Sequence, residues 1–182
     1  NLYFMNTNRR YDGGATYSSS AWSNRKGLGN LFIKNGSTFY SDGPFDRIGD
    51  LTIDAGCTLI THTSGVSPVL GNLTVNGTLN GPGGSSNTIV MGGHSPQTVS
   101  GTGTIDLPNF AVANYSDVTL ARTLNVLGGS DVFGRVDFGA THQLTGPGDF
   151  TAKVNATAGT VTGDTEAGSY RISNIVGTLT GN

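Results

Sequence analysis

Whatever chemistry this chain performs must come from a short roster of side chains. Asp117 and Asp137 stand 20 residues apart, and Asp42, Asp46, Asp50 and Asp54 follow one another at intervals of 4. Two carboxylates converging on one exposed face could bind calcium, or divide the acid and base roles of polysaccharide cleavage. An interval of 4 gathers nothing on a β-strand, where residues four apart share a face but stand about 13 Å apart at roughly 3.3 Å per residue. An interval of 20 is different, because in a coil of that length Asp117 and Asp137 would sit on adjacent turns. Aspartates are also ordinary turn formers and solvated surface groups, which accounts for both sets without any site.

Other constellations are weaker. His62, His94 and His142 lie 32 and 48 residues apart, neither a multiple of 20, so stacked turns would not align them into a row of metal ligands. Cys57 is the single cysteine, which excludes an internal disulfide, and its place on the apolar row of LTIDAGCTLI (51–60) makes it a core thiol. No G-x-S-x-G elbow occurs, and the Gly-rich GPGGSS (81–86) lacks the following helix that phosphate binding requires. Thr-x-Thr pairs at Thr61, Thr102 and Thr160 are too far apart to build the repeated threonine face an ice-binding surface needs. Trp22 shares a polar, Gly/Ser-rich stretch (6–30) with Tyr11 and Tyr17; its indole could pack on the first coil of a repeat or stack on a sugar ring. No catalytic residue, metal ligand or cofactor is assigned. Trp22, Asp117 and Asp137 are the candidates for ligand contact.

These residues need elements to hold them, and composition says which kind. Glycine makes up 29 of 182 residues, more than twice the usual share of about 7%. Lysine occurs 3 times and glutamate once, while β-branched residues and turn formers abound, so strands are favoured over helices. The formal net charge of −2 supplies no cluster of cations for nucleic acid. No run of apolar residues is long enough for a membrane-spanning helix.

The strands repeat. LFIKNGSTFY (31–40) is followed by LTIDAGCTLI (51–60) and then by LTVNGTLNG (73–81), with starts 20 and 22 residues apart. FAVANYSDVTL (110–120) and VDFGATHQL (136–144) return to the same shape more loosely. A short strand recurring after a long excursion implies stacked parallel turns, not the closed hairpins of a sandwich. Asn35-Gly36 and Asn76-Gly77 then serve as corners where the backbone enters the left-handed region. The expected fold is all-β: a single-stranded parallel β-helix, right-handed, with an irregular N-terminal cap. Leu51, Ile53, Leu73, Val75, Leu120, Leu124, Val126, Val136 and Phe138 should point inward. Residues 1–5 are a tag remnant and start, 6–30 the cap, 31–154 the β-helix, and 155–182 its last strands or the start of a further β-module. NLYF before Met5 resembles what a protease-recognition tag leaves behind, and residues 1–4 are set aside on that ground.

LTIDAGCTLI, LGNLTVNGTLNG and QTVSGTGTIDLPNFAVANYSDVTLARTLNVLG (97–128) resemble the repeats of parallel β-helix stalks in large bacterial surface proteins and adhesins. GTVTGDTEAGSYRISNIVGTLTGN (159–182) is similar to modules of phage and other virion fibre proteins. Neither family lends a catalytic motif. The resemblance implies a non-catalytic structural or adhesive segment, extracellular, on a bacterial cell surface or a virion. Its partners would be a surface glycan or other subunits of a fibre, with self-association, a trimer included, and with no nucleic acid. The alternative is a polysaccharide-binding or pectate-lyase-like polysaccharide-degrading β-helix. The chain stops at GTLTGN with no polar cap after Leu179, which reads as a piece of a longer filament or a surface for pairing with copies of itself.

Overall fold

The computed structural model describes residues 29–41, 43–45, 47–82 and 86–137 with their side chains, and six further lengths of strand by backbone alone within 2–10 and 144–173, together with Thr178–Gly181. The described residues form an all-β parallel solenoid and contain no helix. Each turn contributes one short strand to each of three sheets, except the first, whose third side is the single Ile48–Val69 bridge. The first sheet stacks Leu31–Lys34, Leu51–Ile53, Leu73–Val75, Gln97–Ser100, Asp117–Leu120 and Arg135–Asp137. The second stacks Thr38–Tyr40, Thr58–Ile60, Thr78–Asn80, Thr104–Leu107, Leu124–Val126 and Leu144–Thr145. The third stacks Val66–Val69, Thr88–Met91, Asn109–Val112, Ser130–Val132, Phe150–Lys153 and Tyr170–Ser173. Five complete turns run from Leu31 to Gly134, a body about 24 Å long at roughly 4.8 Å per turn.

Leu31–Lys34 and Thr38–Tyr40 do not form a hairpin. They pair in parallel with Leu51–Ile53 and Thr58–Ile60, in two different sheets. Between them Asn35 and Gly36 take φ of 59° and 70°, the left-handed corner that Asn and Gly tolerate.

Strand alternation puts every second residue inside. Leu51, Ile53, Leu73, Val75, Leu120, Leu124, Val126 and Val136 are all buried, as is Cys57; Phe138 lies outside the described residues. Each buried aliphatic side chain contributes about 1.5–3 kcal/mol. The file Leu31, Leu51, Leu73, Val99, Leu120 runs down the first sheet in register, so every turn rests its apolar row on the row before.

Several features differ from the sequence reading. Of the two Asn-Gly corners, Asn35-Gly36 takes positive φ and Asn76-Gly77 does not. Val132 to Phe138 reads in the sequence as one strand, whereas the described residues hold two, Ser130–Val132 in the third sheet and Arg135–Asp137 in the first. Phe133 and Gly134 turn the corner between them, too briefly for a break in composition to mark it. The step between stacked residues also reaches 26 between Leu73 and Val99, beyond the expected 18–22, because the corners of that turn are longer. Leu2–Met5, set aside as mostly tag, pairs in register with Leu31–Lys34, and Arg9–Arg10 pairs with Phe39–Tyr40.

Candidate functional site

Asp117 and Asp137 do lie on adjacent turns. Asp117 is in register with Arg135, and Thr119 with Asp137, so the carboxylates flank one guanidinium. Arg135 Nη1 donates to Asp117 Oδ1 at 2.7 Å, and its Nη2 stands 3.6 Å from Asp137 Oδ2. A cation shared by both carboxylates occupies the place where a bridging calcium or a shared proton would act. The trio carries one net negative charge in a half-exposed setting, where each ion pair is worth about 0–1 kcal/mol.

The remaining sequence candidates are dispersed. Asp54 pairs with Lys34 at 3.3 Å, and Lys34 also lies 5.5 Å over the Phe32 ring. His62 sits between the second and third sheets, where its Nδ1 accepts the Ser64 N–H at 3.2 Å. His94 sits at another corner, stacked on Tyr115. Among the described residues no group of His, Cys, Asp and Glu could hold a metal ion. Trp22, Asp42, Asp46 and His142 lie outside the described residues.

Several polar side chains at the corners bind backbone of neighbouring turns. Asn30 Oδ1 accepts the Asp50 N–H at 2.9 Å, Asp50 Oδ1 accepts that of Asn72 at 2.7 Å, and Asn72 Oδ1 accepts that of Thr98 at 2.9 Å. The result is a ladder of side-chain carbonyl oxygens up one corner, each satisfying an amide that would otherwise lack a partner. A glycine precedes each of its first three rungs, in GNLFI (29–33), GDLTI (49–53) and GNLTV (71–75). A Cβ at Gly49 or Gly71 would overlap the oxygen of the rung beside it. That recurrent Gly-[Asn/Asp]-Leu is the ladder's signal in the sequence, one that the spacing of the aspartates alone does not show.

Arg122 stitches the corner between the first and second sheets. Its Nη1 donates to the carbonyls of Val75 and Gly101, each at 3.2 Å, its Nη2 to Gly103, and its Nε to Thr123 at 3.3 Å. Three turns are thereby tied by one side chain. Burial lowers the guanidinium's pKa below its ordinary value, and the group still remains charged at any physiological pH. The fork is committed to carbonyls and serves as a clamp.

One threonine file does exist. Thr38, Thr58, Thr78 and Thr104 stack in register on the outside of the second sheet, at steps of 20, 20 and 26 that a search for Thr-x-Thr does not find. The neighbouring file reads Tyr40, Ile60, Asn80, Asp106 and Asn125, with Asn125 donating to Asp106 Oδ1 at 2.8 Å. Mixed size and charge beside the threonines break the uniform face that ice requires.

The most exposed apolar cluster is elsewhere, at the corner between the third and first sheets. Tyr115, Phe133 and Leu70 are 55%, 46% and 39% exposed there. Tyr115 lies on His94 with ring centroids 4.4 Å apart and planes at 13°. Sequence reading passed over these residues because they fall in four corner segments of unequal length. Comparisons of the chain with protein-family models, with curated proteins and with solved structures return no match.

Proposed function

We propose that the chain is a non-catalytic structural and adhesive segment of an extracellular surface fibre, bacterial or virion. The observation that carries this reading is where the polar groups are spent. The Asn30–Asp50–Asn72 ladder and the Arg122 clamp bind the backbone of adjacent turns, and Arg135 holds Asp117 and Asp137 together. Such an arrangement stiffens a rod and leaves its surface for recognition.

The second reading, a pectate-lyase-like polysaccharide-degrading β-helix, has one observation in its favour: the two carboxylates stand on neighbouring turns. Incubating the chain with polygalacturonate separates the readings, with unsaturated products followed by ultraviolet absorbance and new reducing ends counted. No turnover is expected at any calcium concentration. Turnover that disappears in Asp117→Asn or Asp137→Asn would establish the enzyme instead.

A further inference from the structure

We propose that the corner carrying Leu70, His94, Tyr115 and Phe133 is a binding strip for neutral carbohydrate, taking sugar rings face-on along the solenoid axis. The inference rests on the adhesive reading and gives it a surface and a ligand class.

Register builds the strip. Val69, Met91, Val112 and Val132 stack in the third sheet, so the residues that follow them, Leu70, Gly92, Ala113 and Phe133, form one file on successive turns. Large apolar side chains stand at its two ends and small ones in the middle. The file is about 14 Å long, three steps of roughly 4.8 Å. Tyr115 leans back into the recess: a Cβ at Gly92 would lie 3.7 Å from Leu70 Cδ2 and 3.9 Å from Tyr115 Oη. His94 stacks against Tyr115, so the two exposed rings form one aromatic pair at this corner. The strip thus offers exposed aromatic and aliphatic surface with the Tyr115 hydroxyl, and the exposed Ser95 and Asn114 beside it.

Charge decides the ligand class. The four corner segments read LGN (70–72), GGHSP (92–96), ANYS (113–116) and FG (133–134), and contain no Asp, Glu, Lys or Arg. The charged groups that border these segments, Arg135 with Asp117 and Asp137, are paired with one another, so a phosphate-bearing or uronic-acid polymer would meet two carboxylates and a cation already committed to them, with little to offset its desolvation. A neutral pyranose matches: one face of C–H groups to lie on an aromatic ring, and a rim of hydroxyls for Tyr115, Ser95 and Asn114. The competing occupant is a second copy of the chain. On the outer face of the third sheet beside the strip, Pro68, Val90 and Ala111 form an apolar file that Asp131 ends, next to a file of Val66, Thr88 and Asn109. The strip itself lies along a corner, which presents less flat area to another solenoid than a sheet face does.

The test is an array of immobilised neutral hexose and N-acetylhexosamine oligomers beside uronic-acid oligomers, probed with the full chain, Tyr115→Ala, Phe133→Ala and, as a control on the second sheet, Thr104→Ala. All three positions are exposed, and circular dichroism with a thermal melt confirms that each variant is folded. Binding confined to neutral oligomers is expected, falling about tenfold on loss of either ring, as for other rings stacked on aromatic side chains, and unchanged in Thr104→Ala. Neutral-oligomer binding that survives both Tyr115→Ala and Phe133→Ala would overturn the strip while leaving an adhesive protein. Failure to bind any glycan would overturn both. Light scattering that shows a dimer dissociated by Tyr115→Ala would assign the surface to a second copy instead.

Discussion

Replacing Arg122 by alanine should loosen three turns at once. Its guanidinium reaches the carbonyls of Val75, Gly101 and Gly103 across the corner between the first and second sheets. Val75 O also accepts the Gly103 N–H at 2.9 Å, so that carbonyl keeps a partner and its loss is small. The bonds to Gly101 and Gly103 carry the effect, at about 1–1.5 kcal/mol each for a charged donor at a half-buried site, giving a loss of about 2–3 kcal/mol. Arg122→Lys should recover less than half, since one ammonium cannot span carbonyls that a planar fork reaches together. Urea unfolding followed by circular dichroism reads the stability, and hydrogen exchange locates the loss, with faster exchange at Gly103 and Thr104 than at distant amides. Burial lowers the guanidinium pKa, so folding carries a desolvation cost at every pH below the arginine range, relieved only as pH rises into it. Stability assigned to Arg122 should therefore be flat between about pH 5 and pH 9. A change below about 0.5 kcal/mol in Arg122→Ala, or full recovery in Arg122→Lys, would refute the clamp.

Further outcomes follow from individual positions. Gly101→Ala should cost about 3 kcal/mol or more in the same urea assay, because Gly101 has φ of 104° and a Cβ would overlap the Val75 backbone. Cys57, 1% exposed, should be inert to an aromatic disulfide reagent in the native protein and react at once in urea; rapid native labelling would contradict its core position. Asp137→Asn should change stability by less than about 1 kcal/mol, and by still less at high salt, as expected for an exposed ion pair. A loss of several kcal/mol would mean that the Arg135 trio is structural.

Much of the fold was legible because the first sheet is written plainly. Leu31, Leu51 and Leu73 open three similar strands at steps of 20 and 22, and their alternation identifies the core. The second and third sheets were harder. Thr38–Tyr40 and Thr78–Asn80 are strands of three residues with one buried side chain each, too short to show a period. Val66–Val69 contains Pro68, which reads as a break. It fits because the Pro68 carbonyl accepts the Ile48 N–H on the side of the first turn, and among the described residues the backbone of that turn pairs with this strand's only at the Ile48–Val69 bridge. The missing proline N–H faces this sparse edge. Sites were less legible than strands, since a site here depends on corner lengths. Asp117 and Asp137 could be placed on adjacent turns by arithmetic, whereas the local step of 18, which sets Arg135 and not Asp137 opposite Asp117, needed the register. His94 and Tyr115 come together only because one corner has five residues and the next has four.

Adhesion itself can be measured directly, by flowing bacterial cells over a surface coated with the full chain and counting those retained against an albumin coat. Retention that is abolished when the cells' glycans are first oxidised with periodate, and reduced on a Tyr115→Ala coat, is the expected result. Retention no greater than on albumin, across cells of differing envelope glycans, would contradict an adhesive shaft.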